Sequence, residues 1–106
     1  MPKRQEQEAH DLATLERTRV DKPRLFEVVF HNDDYTTQEF VVEVLMKFFH
    51  HSSSAAHAIM LHVHTRGLGV AGVFPRDVAE TKASLVEHYA RSHEMPLLCS
   101  VRKQSC

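Results

Sequence analysis

Residues 25–49 read LFEVVFHNDDYTTQEFVVEVLMKFF, and the fold is decided where the two halves of this stretch meet. In the first half Phe26, Val28 and Phe30 alternate with Leu25, Glu27 and Val29, the period-2 pattern of a β-strand. The second half repeats at helical spacing. Phe40, Val41, Val44, Leu45 and Phe48 make the inner stripe of a helix over about 37–49, and Val42, Met46 and Phe49 widen it until both sides should touch something. Between the halves, His31-Asn32-Asp33-Asp34-Tyr35 is turn chemistry, because Asn and Asp side chains bond nearby backbone groups. Thr36 and Glu39 stand at the S/T-x-x-E spacing of a capping box, which predicts where the helix starts.

Working outward, Ser52-Ser53-Ser54 can break and recap the chain. Ala56, Ile59, Met60 and Val63 then predict a second helix over about 54–66, ended by Gly67. LGVAGVF, residues 68–74, is β-prone and interrupted by glycine, so a strand with a bulge or a close backbone approach is expected. Pro75 suits a helix start, and a third helix over about 76–92 should turn Val78, Ala79, Ala83, Leu85, Val86, Tyr89 and Ala90 inward. Met95-Pro96 interrupts the chain, and Leu97 to Val101 reads as the last strand. The order β-α-α-β-α-β predicts a small single α+β domain, an antiparallel or mixed sheet backed by helices. Residues 1–22 are polar and charged, and Ala9, Leu12 and Leu15 support at most a short marginal helix. They read as a flexible extension to a core domain of residues 23–106.

At 106 residues there is no room for a two-domain enzyme and little for a deep cleft. Thirteen basic against fourteen acidic residues give no global field to hold nucleic acid or an anionic membrane. No window approaches the roughly 18 apolar residues of a spanning helix, and the start MPKRQEQEAHDL lacks an apolar signal core, so a cytoplasmic protein is expected. Cys99 and Cys106 form no CxxC and no disulfide framework. The nine histidines invite a metal-binding or pH-sensor reading, but their spacing opposes a metal site. None in a predicted helix has an i, i+4 histidine partner, and His62 and His64 are turned about 200° apart on a helix. No metal and no cofactor are expected.

Asn32, Asp33, Asp34 and Thr36 lie at a strand exit and a helix entry, where such residues commonly do no more than make a turn. Read functionally, two carboxylates and an amide carbonyl are acceptors, and their complement is a compact cation with several donors, such as an ammonium group. A neutral His64 ring would add another acceptor if the fold brings it near. Phe30, Val41, Met60, Val63 and Leu97 are core residues or, in part, the walls of a pocket beside the acids. No nucleophile arrangement or GxxxxGK[ST] loop supports an enzyme.

HNDDYTTQEFVVEVLMKFF, AIMLHVHTRGLGVAGVF and RDVAETKASLVEHYARSHEMPLLCSV follow in the order and spacing of the Clp protease adaptor family, ClpS, which the chain resembles over about residues 25–101. The resemblance implies a three-stranded antiparallel sheet packed against three helices and no enzymatic activity. It implies an adaptor that binds the free α-amine and large first residue (Leu, Phe, Tyr or Trp) of N-degron substrates. These are delivered to the N-terminal domain of a ClpA- or ClpC-type AAA+ unfoldase for degradation by ClpP.

By the same resemblance Asn32, Asp33 and His64 would hold the amine. Phe30, Thr36, Gln38, Val41, Met60, Val63 and Leu97 would line the hydrophobic pocket, and Asp77, Glu80 and Lys82 would dock on the unfoldase. The extension would match the family's tail, thought to engage the unfoldase pore. A monomer without membrane or nucleic-acid partners is expected. Gln38 departs from the Met common in the family and implies altered ranking of first residues. Phe30, where smaller aliphatics are usual, implies a shallower pocket. The alternatives are a regulator that docks on the unfoldase with weak substrate binding, and a histidine-rich metal-binding protein.

Overall fold

The computed structural model describes residues 24–105, so the expected extension over residues 1–22 lies outside the described residues, as does Cys106. The elements run β1 (Leu25–His31), α1 (Gln38–Phe49), α2 (Ser53–Arg66), β2 (Leu68–Pro75), α3 (Arg76–Ser92) and β3 (Leu98–Lys103). β1 is the middle strand of a three-stranded antiparallel sheet ordered β2-β1-β3. It is the strand with the strongest alternation, and both of its edges are paired. Val28 and Phe30 are fully buried on its helix side, where they join Val44, Leu45, Val86 and Ala90 in one core.

The start of α1 corrects the capping-box reading by one residue. Thr37 is the N-cap, its hydroxyl accepting from the Phe40 N–H at 3.1 Å, while the Thr36 hydroxyl donates to Asp33 instead. Two further expectations fail on α3, where Val78 and Leu85 are 42% and 49% exposed. The buried stripe is the narrower Ala79, Ala83, Val86, Ala90 row, because small residues let the helix lie close on the sheet and leave its flanks outside. Met46, read as widening the apolar surface of α1, is likewise exposed. The last strand starts one residue later than expected. Leu97 is buried ahead of it, with its carbonyl accepting from Arg91.

Two features of β2 position the surface formed by α2. Val28 pairs with Gly72 and Val29 with Val70, so Ala71 is the extra residue of a bulge, as the glycine-interrupted sequence led us to expect. A bulge frees a carbonyl from the ladder, and His51 takes it, its Nε2 donating to the Ala71 oxygen at 2.6 Å while its ring stacks near Phe49. Gly69 marks the close approach: a Cβ there would stand 2.9 Å from Val63 Cγ2, so only glycine lets α2 settle this deeply on β2. On the far side, Lys82 Nζ donates to the Phe48 carbonyl at 2.7 Å with Phe49 and Phe74 rings beside it, closing the end of α1.

His51→Phe keeps an aromatic ring but leaves the bulge carbonyl without its donor. Urea unfolding should show a loss of about 1–3 kcal/mol, the cost of an unpaired buried polar group. Unchanged stability would remove His51 from this account.

Candidate functional site

The β1–α1 loop is folded by one side chain. Asp33 Oδ1 accepts from the N–H groups of Tyr35 (2.8 Å) and Thr36 (2.7 Å), and Asp33 Oδ2 accepts from the Thr36 hydroxyl (2.7 Å). Partial burial works to raise the pKa of this carboxyl, but the three bonds outweigh it, and the group is held below its ordinary value. Asp33 is therefore a fixed negative charge at the loop mouth at neutral pH. Its stabilising contribution is present above the ordinary carboxylate value and lost as pH falls through the lowered one.

The opposite side of the site arrives through a second turn. Gly67, at φ 94°, ends α2 in the left-handed region open to glycine, with its N–H on the Val63 carbonyl. Its own carbonyl accepts from the Asn32 N–H at 2.9 Å. That bond ties the C-terminal end of α2 to the exit of β1. The α2 face bearing Met60, Val63 and His64 is thereby brought to the same opening as Asn32 and Asp33.

Together they enclose a cavity of about 290 Å³, lined by Asn32, Asp33, Asp34, Thr36, Thr37, Gln38, Val41, Met60, Val63 and His64. The volume lies at the lower end of the ~300–1,000 Å³ usual for ligand pockets. One end is polar and acidic, and Val41, Met60 and Val63 make the other apolar. Residues at two helix ends of opposite dipole line it, the N-terminus of α1 (Thr37, Gln38) and the C-terminus of α2 (Val63, His64), each effect being about 0.3–1 kcal/mol. The Asp33 carboxylate decides the sign, since a hydrogen bond to a charged group is worth about 1.5–3 kcal/mol.

Eight of the ten residues expected at the amine and pocket positions stand on this lining. Phe30 and Leu97 do not: they are 0% and 1% exposed, with Phe30 packed edge-on to Phe49 at 5.6 Å. Phe30 therefore belongs to the core beneath the cavity rather than to its wall. Thr37 also lines the site, outside the residues the sequence singles out, although the second threonine of the TT pair, three residues before Phe40, carries a capping signal.

On α3, Asp77 and Lys82 share a surface depression with Val78, Thr81 and Leu85, while Glu80 lies outside it, paired with Arg76 at 3.2 Å. Among the described residues no three His, Cys, Asp or Glu side chains are grouped to hold a metal ion. Several histidines have other partners: His31 on Ser100, His57 on the Ser53 carbonyl, His93 on the Tyr89 carbonyl. Burial pushes the Cys99 thiol up to about 12, with Glu87 adding and Arg91 opposing, so it stays protonated. No described helix is long and apolar enough to cross a membrane.

The sequence and the fold have relatives among known proteins. Residues 21–100 match the family described as ATP-dependent Clp protease adaptor protein ClpS. The ATP-dependent Clp protease adapter protein ClpS of Alkalilimnicola ehrlichii is 57% identical over 84 residues, 79% of each chain. The protein of the same name from Hyphomonas neptunium is 50% identical over 94 residues, covering 89% of this chain and 80% of the relative. A solved structure of Agrobacterium tumefaciens ClpS2 bound to L-phenylalaninamide has a TM-score of 0.75 at 35% identity, over 78% of this chain and 100% of that one. The chain belongs to the ClpS family, adaptors of the ATP-dependent Clp protease and not themselves enzymes.

Proposed function

We propose that this adaptor captures proteins by a free N-terminal amine followed by a large hydrophobic first side chain, and presents them to a Clp-type unfoldase. The observation that carries this reading is the junction of a fixed carboxylate with an apolar cavity of side-chain size. An ammonium has three donors. Asp33 has about four acceptor sites, three of them taken within the loop, and the one left is on Oδ2. The Asn32 side-chain carbonyl and a neutral His64 nitrogen supply the other two. The relative whose structure is described as bound to L-phenylalaninamide supports the match, since that molecule carries a free α-amine beside a benzyl group.

The first side chain would lie against Val41, Met60 and Val63, with Gln38 and Thr36 closing the rim. Gln38 is exposed at the first position of α1. An amide there offers less apolar contact than a thioether, so Phe, Tyr, Trp and Leu would bind with altered ranking. Docking on the unfoldase falls to the α3 depression around Asp77, Val78 and Leu85. Lys82 borders it, but its amine is already committed to the Phe48 carbonyl.

Fluorescence anisotropy with peptides beginning Phe, Leu, Trp or Ala tests the reading. The free Phe peptide should bind, and its N-acetylated form should lose roughly tenfold or more, because blocking the amine strands acceptors at about 1–3 kcal/mol. Equal binding of the two would end the amine-capture proposal. Asp33→Asn should weaken the free peptide by a similar factor.

Thr36→Val removes one donor to Asp33 without changing charge. The carboxyl then rises toward its ordinary value, so the Asp33 titration, followed by its carboxyl ¹³C shift, should move to higher pH. Affinity at neutral pH should fall about fivefold for one bond of about 1 kcal/mol, and Thr36→Ser should restore both. An unmoved Asp33 titration would show that Thr36 acts only as pocket wall.

A further inference from the structure

One end of the sheet gathers positive charge that substrate capture leaves unused. Phe26 of β1 is paired with Lys103 of β3, so the two side chains share the helix side of the sheet. Arg24 stands two residues before Phe26, and Leu25 is paired with Pro75, after which Arg76 opens α3. Strand start, strand end and helix start thus meet around a depression of about 410 Å³, lined by Arg24, Phe26, Pro75, Arg76, Asp77 and Lys103. Phe26, packed against the core, supplies apolar surface there, and the Arg76 guanidinium carbon stands 5.8 Å from its ring centroid, a cation–π contact.

Three cations and one acid share this lining, in a protein whose formal net charge is -1. Arg76 spends its Nε–H on Glu80, but both side chains of that pair are largely exposed, and an exposed pair yields readily to a better partner. Among the described residues Arg24 and Lys103 make no ion pair. The depression therefore holds charge that the fold itself does not neutralise.

We infer that this depression receives a run of carboxylates from the unfoldase that docks on α3. It rests on the docking proposed above, because Asp77 lines both depressions and joins them into one continuous surface. A partner seated over Val78 and Leu85 has its edge beside Arg76, and the charge there selects what that edge can carry. Guanidinium groups meet carboxylates with paired N–H donors, and Lys103 adds a compact charge of the same sign. The cations come from three separate elements, so successive carboxylates of one segment can each find a partner. Asp77 repels a carboxylate placed over it, which confines the acidic run to the side away from the α3 depression and fixes the register of docking. Nucleic acid is disfavoured as occupant, since the slight net negative charge offers no wider field to hold a polyanion.

Binding of the full chain to the N-terminal domain of a Clp-type unfoldase is measured for the unaltered protein and for Arg24→Glu/Lys103→Glu. The double variant should bind about tenfold more weakly at low salt, and its affinity should depend less steeply on salt. Its affinity for the free Phe peptide and its core amide signals at Val44 and Val86 should not change. To locate the carboxylates, hexaglutamate acetylated and amidated at its ends, so that no amine enters the cavity, is titrated into the ¹⁵N-labelled chain. The amides of Phe26 and Arg76 should shift in the unaltered protein and stay still in the double variant. Equal affinity of the two proteins for the domain would overturn the inference and leave docking on α3 intact, whereas an unaltered chain that fails to bind the domain would refute both. Hexaglutamate shifts absent from the depression would also overturn it.

Discussion

The site depends on three hydrogen bonds to one carboxylate. Asp33 gathers the N–H groups of Tyr35 and Thr36 and the Thr36 hydroxyl, and in doing so bends the chain from β1 into α1. The same bonds that fold the loop keep the carboxyl ionised, against the partial burial that works to protonate it. Structure and charge therefore come from a single side chain. A neutral loop of the same shape would make the cavity a nonspecific apolar dent, and a free carboxylate would have to be ordered each time a cation arrived, at a cost in side-chain entropy.

A second constraint delivers the other half. Gly67 reverses the chain after α2 and hands its carbonyl to Asn32, so the helix carrying Met60, Val63 and His64 is moored to the strand carrying Asn32 and Asp33. Gly69 then allows the helix to lie against β2 at a distance no larger residue would permit. The bulge at Ala71, held by His51, and the closure of α1 by Lys82 keep both helices in place from behind. The proposed selectivity needs this rigidity, because a pocket this small rewards a fit and penalises a gap only if its walls do not collapse.

Most of this was legible in the sequence, and the losses have physical causes. The alternation in LFEVVF and the helical stripe after it locate β1 and α1, and Gly67 marks a helix end because a glycine stands just past the last helically spaced apolar residue. The capping residue was misplaced because Thr36 and Thr37 both carry a hydroxyl at plausible spacing, and only the competing pull of Asp33 assigns them. Periodicity turns Val78 and Leu85 inward, but it cannot see that an alanine row brings α3 close enough to exclude its flanks. The residues leave Phe30 as core or pocket wall and the resemblance favours the wall, but burial is a three-dimensional quantity, and the ring is fully buried with Phe49 edge-on to it. No spacing rule pointed to the Lys82–Phe48 or His51–Ala71 bonds, which join residues 34 and 20 positions apart.

The central claim is that a fixed carboxylate recognises a protonated amine. Its most direct test is the affinity of the unaltered protein for a peptide beginning with Phe, measured from acid to alkaline pH. At neutral pH the Asp33 carboxylate and the ammonium are both charged, and affinity should be highest there, below the amine's own pKa near ~8. It should fall by a further factor of ten for each pH unit well above the amine value, as the ammonium loses its proton. Affinity that stays level through pH 9 and 10 would mean that the site does not distinguish an ammonium from a neutral amine, and would contradict the account.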